Sequence, residues 1–265
     1  MKYPNITSAL LVLTHRCNLA CRYCFVKQEA SDMPLATAKK TVDYVMNNLL
    51  NDTEEGSITF FGGEPLLKWN EIIVPTVLYT KEKYPNKKCN FSITSNCVLL
   101  TEDKISFIKE HNINLLTSID GAKTTQDYNR PFHNGQGSFD IVEKNLKLYR
   151  DLVGLQNTTF RATVYPDSCE NLFENYLYAI DFGYPSMFFV ADSFSDWSDE
   201  KERILTDEMG KIVEHYVNHW KTFKKPPIQL NPFMRDFNLT LQEINRDLMG
   251  QDPIVFRSQS KCGYG

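Results

Sequence analysis

Short apolar runs alternate with amphipathic stretches along most of this chain. Ser8-Ala-Leu-Leu-Val-Leu-Thr14 reads as a buried strand ended by polar His15 and Arg16. Pro34 to Leu50 then repeats apolar residues at helical spacing (Leu35, Ala38, Val42, Val45, Met46, Leu49), with Pro34 suited to the first turn. Four more strands follow at Ser57 to Phe61, Phe91 to Thr94, Leu115 to Ile119 and Thr158 to Val164, and a sixth at Ser186 to Val190. Between them, helical periodicity covers Ile72 to Lys83, Glu102 to His111 behind Thr101 as N-cap, Ser138 to Leu152 and Leu172 to Phe182. Leu205 to Asp252 reads mostly as helices.

Strands alternating with helices of this length predict an α/β fold with a parallel sheet, either doubly wound or curled into a barrel. Most strands end in a compact polar or glycine cluster: Thr14-His15-Arg16-Cys17, Gly62-Gly63-Glu64-Pro65, Ser95-Asn96, Asp120-Gly121 and Ala191-Asp192. In a barrel those clusters ring one mouth, where barrel enzymes carry their chemistry. A doubly wound sheet would instead want a glycine-rich phosphate loop after the first strand, and the loop here carries cysteines.

The chain has 265 residues, 42% hydrophobic and 23% charged, with a net charge of −4. That leaves no basic footprint for nucleic acid. No apolar stretch reaches the roughly 20 residues that span a bilayer, and Met1 to Asn5 opens no signal peptide, so no membrane partner and a cytoplasmic location are expected. Seven cysteines in a reducing compartment are not a disulfide framework. Cys89, Cys97 and Cys169 stand alone and read as packed thiols.

Three other cysteines are grouped as Cys17-Asn-Leu-Ala-Cys21-Arg-Tyr-Cys24. Three thiolates on a four-iron cluster would leave one iron uncovered, whereas electron-transfer clusters usually have a full set of cysteines. Two other chemistries use the same residue types: a structural zinc site completed by a histidine, and a CxxC dithiol formed by Cys21 and Cys24. His215 and His219 lie one helical turn apart, but Tyr216 stands where a zincin needs glutamate, so a helix-surface pair is expected. Lys87-Lys88 and Lys224-Lys225 are short solvated runs.

Cys17-x3-Cys21-x2-Cys24 after the first strand, Tyr23 before the last cysteine, and Gly62-Gly63-Glu64-Pro65 after the second strand together resemble the radical SAM superfamily. The resemblance covers nearly the whole chain. It implies a partial (β/α)6 TIM-like barrel followed by a C-terminal helical segment. It also implies a 4Fe-4S cluster on Cys17, Cys21 and Cys24, whose open iron chelates S-adenosylmethionine (SAM) and cleaves it reductively to a 5′-deoxyadenosyl radical that abstracts hydrogen from substrate. By position, Tyr23 would sit by the adenine, Gly62, Gly63 and Glu64 would meet the SAM amino acid, Ser118 the ribose, and Arg161 the carboxylate. Arg161 interrupts an apolar strand, where an arginine needs an anion; an internal aspartate is the other candidate. Asp120 and Asp192 are candidate lining residues, and no protein acid or base is assigned. Asn96 can simply begin a turn, and Cys97 stands where relatives have glycine.

Asp127-Tyr-Asn-Arg130 with Gly135-Gln-Gly137-Ser-Phe139 is similar to the segment after the fourth strand of enzymes with a SPASM or twitch extension, and Lys261-Cys262-Gly263-Tyr264-Gly265 resembles the opening of that extension. Cys262 would then ligate an auxiliary iron-sulfur cluster with cysteines further on, and the sequence would be a fragment. The expected partition is a barrel core over 1–204, a helical linker over 205–260 and the start of an extension over 261–265. The implied function is modification of a ribosomally made peptide by a thioether or carbon crosslink, with sulfatase-type formylglycine formation second, and flavodoxin or ferredoxin as reductant. A non-catalytic zinc-binding module is the rival from another class.

Overall fold

A computed structural model describes residues 6–49 and 55–230. Seven strands, β1 (Ser8–Val12), β2 (Gly56–Phe61), β3 (Cys89–Ser95), β4 (Asn114–Ser118), β5 (Thr159–Val164), β6 (Ser186–Ala191) and β7 (Gln229–Leu230), form one sheet in chain order, each parallel to its neighbour. The order never reverses, so the sheet has no switch point of the kind a doubly wound fold uses. Among the described residues β1 and β7 pair on one side only. This is the order of a barrel left open between its first and last strands.

Alternation along each strand gives the sheet two faces. One packs under helices: Ile58 and Phe60 of β2, Phe91 and Ile93 of β3, Leu115 of β4, Phe160 of β5 and Met187 of β6 are all buried. They meet Ala38, Val42, Val45 and Met46 of α1 (Leu35–Asn47), Val77 of α2 (Val74–Lys83), Ile105 and Ile108 of α3 (Glu102–Glu110), and Val142, Leu146 and Tyr149 of a longer helix (Phe139–Leu152) in one core. Each fully buried aliphatic or aromatic side chain contributes about 1.5 to 3 kcal/mol. On the other face Thr59, Ser92, Thr94, Ser118, Arg161 and Thr163 are half-buried, a polar lining no core would keep. Register sets Ser118 beside Arg161 and Arg161 beside Phe188.

Several local features differ from the pattern read along the chain. Pro34 is the N-cap of α1, one position outside the helix. Thr101 does occupy the N-cap of α3, but its hydroxyl bonds the Asp103 side chain and no cap hydrogen bond forms. A short helix α4 (Lys123–Asn129) precedes α5 (Phe139–Leu152). After α6 (Leu172–Phe182), helix α7 (Asp199–Phe223) crosses the boundary expected at 204/205, and its crossover delivers β7 to the sheet. The parallel sheet therefore extends to Leu230. The rest of the expected linker, and Cys262 with the start of an extension, lie outside the described residues.

Candidate functional site

The cysteine loop leaves β1 between two backbone clamps. On one side the chain after β2 continues the strand pairing: Gly63 N–H donates to Thr14 O (2.8 Å) and Glu64 N–H to Arg16 O (2.9 Å). A Cβ on Gly62 would lie 2.4 Å from Thr14 O, and one on Gly63 2.2 Å from Arg16 O. The missing side chains thus allow this segment to press against the backbone that launches the loop. On the other side Ala20 N–H donates to Pro131 O and Arg22 N–H to Asn129 O. Thr14 and Arg16 are further tied to Asp32, at 2.6 and 3.3 Å.

Cys17 and Cys21 are half-buried on this loop and Cys24 is exposed. Donors converge on the sulfurs: Leu19 N–H (3.4 Å) and Asn96 Nδ2 (3.6 Å) on Cys17 Sγ, and Arg130 Nη1 (4.0 Å) on Cys21 Sγ. Burial pushes the Cys17 thiol up to about 11 and the Cys21 thiol up to about 12. Among the described residues no three His, Cys, Asp or Glu side chains converge as a single metal ion would require. His215 and His219 are engaged elsewhere, His215 Nδ1 with the Tyr176 hydroxyl and His219 Nδ1 with Lys225 O.

Glu64 is fully buried and caps the short turn after it. Its carboxylate accepts from Leu66 N–H, Ser95 Oγ and Asn96 N–H at 2.8 to 2.9 Å. Burial outweighs these donors and pushes its pKa up to about 7. Glu64 therefore locks the β2 and β3 turns together and holds Asn96 against Cys17. Cys97 follows at φ 63°, buried and with its sulfur on Ser95 O, a packed thiol in a backbone region that favours glycine.

Asp120 is the hub of a second buried cluster. Its Oδ2 accepts from Tyr23 Oη (2.6 Å) and Asn129 Nδ2 (3.1 Å), its Oδ1 from Thr163 N–H (3.0 Å), and Arg130 Nη2 pairs with Oδ1 at 3.0 Å. With 2% of its surface exposed and four donors in place, Asp120 braces the loop instead of lining a cavity. Arg130 was not singled out by sequence reasoning, although its segment was. It is 8% exposed, and its guanidinium lies 5.4 Å from the Tyr23 ring centre. Burial alone would lower its pKa, but Asp120, Tyr23 and Cys21 raise it on balance. Its signal was a lone charge between Asn129 and Pro131, legible only once Asp120 is known to be buried beside it.

Ser118 and Arg161 stand side by side on the polar face. The Arg161 guanidinium lies 5.8 Å from the Phe188 ring centre, and its pKa is lowered by burial and by the like charge of Arg130. Asp192 is 6% exposed and turned back on its own loop, accepting from Phe194 N–H and Ser195 Oγ. It shapes the turn after β6. No helix among the described residues is long and apolar enough to cross a membrane.

A family model described as the radical SAM superfamily matches residues 11–177. An uncharacterised protein of Methanocaldococcus jannaschii is 39% identical over 130 residues, 49% of this chain and 43% of its own. The radical SAM cyclopropyl synthase TigE of Paramaledivibacter caminithermalis is 26% identical over 164 residues, 55% of this chain and 33% of its own. A cysteine-type anaerobic sulfatase-maturating enzyme of Clostridium novyi is 29% identical over 139 residues, 50% of this chain and 37% of its own. The chain thus spans less than half the length of these relatives. Among solved structures, native anSMEcpe with bound AdoMet and Cp18Cys peptide shares the fold at a TM-score of 0.75 and 20% identity, over 92% of this chain and 67% of that one. Because the family match runs from β1 into α6 and takes in the cysteine loop with both of its clamps, the chain belongs to the radical SAM superfamily.

Proposed function

We propose that this chain is the barrel of a radical SAM maturase that crosslinks a ribosomally made peptide through a thioether or carbon bond. The observation that carries the reading is the cysteine loop itself, with three thiols on one clamped segment and N–H donors aimed at the sulfurs of two. That donor set suits a 4Fe-4S cluster, whose sulfurs accept such bonds. Two buried donors beside it, Asn18 Nδ2 and Arg130 Nε, have no partner among the described residues, as expected where a further acceptor binds.

When bound, the cluster and SAM supply one-electron reductive cleavage and hence hydrogen abstraction from an unactivated carbon. The chain's own residues orient and enclose. Cys17, Cys21 and Cys24 hold the cluster, and the Gly62 and Gly63 carbonyls are our candidates for the SAM ammonium. Tyr23 supplies a ring with its hydroxyl anchored on Asp120, while Ser118 and Arg161 offer a hydroxyl and a cation on the polar face. Glu64 works indirectly, through Asn96. A peptide would meet the half-buried polar face of the sheet that carries Ser118 and Arg161, and flavodoxin or ferredoxin in a reducing cytoplasm is the electron source we expect. An auxiliary cluster begun by Cys262 belongs to the same reading. So does a barrel core that takes in α7 and β7.

Formylglycine formation on a sulfatase is the second reading, supported by the sulfatase-maturating relative. Both are tested by one experiment: anaerobic reconstitution of the full-length protein, then SAM, dithionite and candidate peptides, with methionine, 5′-deoxyadenosine and peptide mass followed. Crosslinking removes two hydrogens and keeps every sulfur; formylglycine formation from cysteine loses the sulfur. A protein that binds one zinc tightly and never cleaves SAM defeats both.

A further inference from the structure

We propose that Arg130 and Asp120 act as an opposed charge pair that sets the reduction potential of the cluster on Cys17, Cys21 and Cys24, an inference that rests on the cluster reading above. Arg130 donates to Cys21 Sγ at 4.0 Å through Nη1 while Nη2 holds Asp120 Oδ1 at 3.0 Å. Asp120 is fixed by Tyr23, Asn129 and the Thr163 N–H, and Arg130 is packed over the Tyr23 ring.

The two members spend their bonds differently. Asp120 uses its oxygens on the protein, whereas Arg130 keeps Nη1 on the cysteine and a buried Nε without a partner among the described residues. The guanidinium is thus the cluster-facing charge and the carboxylate its counterweight. Reduction adds one negative charge to the cluster. In a water-poor setting a nearby cation favours that state and a nearby anion opposes it. Hydrogen bonding and charge at ligand sulfurs are recognised levers on such potentials.

The sign of the effect separates this role from scaffolding. Reconstituted full-length protein is titrated anaerobically against redox mediators, with the cluster on Cys17, Cys21 and Cys24 read by electron paramagnetic resonance as the component absent from the Cys17→Ser variant, and iron and sulfide counted in each sample. Arg130→Gln is expected to lower the ratio of reduced to oxidised cluster at a fixed poise by about tenfold, or about 59 mV for one electron. Arg130→Lys restores most of it. Asp120→Asn is expected to move the ratio the opposite way, and the Asp120→Asn/Arg130→Gln double variant returns toward wild type. Unchanged potentials, or both single variants shifting in the same direction, overturn the proposal. So does loss of the cluster in all variants while wild type loads fully, which leaves the pair a scaffold. If wild type itself assembles no cluster, the cluster reading fails instead.

Discussion

Gly63→Ala perturbs the clamp that launches the cysteine loop. Its Cβ would stand 2.2 Å from Arg16 O, 2.7 Å from Arg16 C and 2.9 Å from His15 O, all backbone atoms. Ordinary contact needs roughly a further 1 Å, so the loop must retreat by about that much. Retreat stretches the Gly63 N–H to Thr14 O and Glu64 N–H to Arg16 O bonds, now 2.8 and 2.9 Å. Overpacking costs about 1 to 3 kcal/mol and each weakened bond about 1 kcal/mol, partly shared, which gives a total of about 2 to 4 kcal/mol. Gly135→Ala is the comparator: it strains a residue at φ 81° but meets no atom within 4 Å. It should cost only about 1 kcal/mol and leave the loop alone. Urea unfolding gives the stabilities, and iron retained after anaerobic reconstitution reports on the loop. Gly63→Ala should lose both stability and iron. If it matches Gly135→Ala in stability and keeps wild-type iron, the clamp does not hold the loop as described.

The buried Glu64 makes stability pH-dependent with a definite sign. Its folded pKa of about 7 lies above the usual 4.5, so its contribution is full below about 4.5 and lost as pH rises through about 7. The loss is about 3 kcal/mol, and urea unfolding across this range should show it in wild type but not in Glu64→Gln; equal slopes would remove the argument. Tyr23→Phe deletes a 2.6 Å hydroxyl-to-carboxylate bond and should cost about 1.5 to 3 kcal/mol in the same assay. An unchanged midpoint would mean the hydroxyl does not brace Asp120. Replacing His215 and His219 by alanine should leave bound metal unchanged on dialysis, since both rings bond within the protein. Metal lost with them would show that they are ligands.

Much of the barrel was legible because short apolar runs that end in polar clusters mark β1 to β6, and apolar residues at period 3.6 mark the helices that pack on them. β7 was not, since two residues leave no period and only pairing with β6 makes Gln229–Leu230 a strand. The front of α7, Asp199-Glu-Lys-Glu-Arg203, is too charged to advertise a helix by apolar spacing. At the site, the three cysteines announce themselves by spacing, but what positions them acts over long sequence separations. Asp120 reads as a lining residue until Tyr23, Arg130 and Thr163 are seen to converge on it. Glu64 reads as one of the residues that meet the SAM amino acid; it is the N-cap of the turn after β2, and its other bonds reach Ser95 and Asn96 at the end of the next strand. Asp192 shows the reverse: a polar residue after β6 whose carboxylate accepts from Phe194 N–H and Ser195 Oγ of its own loop.

The central claim is that Cys17, Cys21 and Cys24 carry a cluster with an iron open to SAM. Electron paramagnetic resonance of the reduced, reconstituted full-length protein tests it most directly when recorded before and after SAM is added. A component of the reduced spectrum that SAM reshapes, and that is lost in the Cys17→Ser, Cys21→Ser and Cys24→Ser variants while any auxiliary-cluster signal stays, is the expected result. A SAM-sensitive component that persists without those cysteines, or a wild-type spectrum in which SAM alters no component, would contradict it.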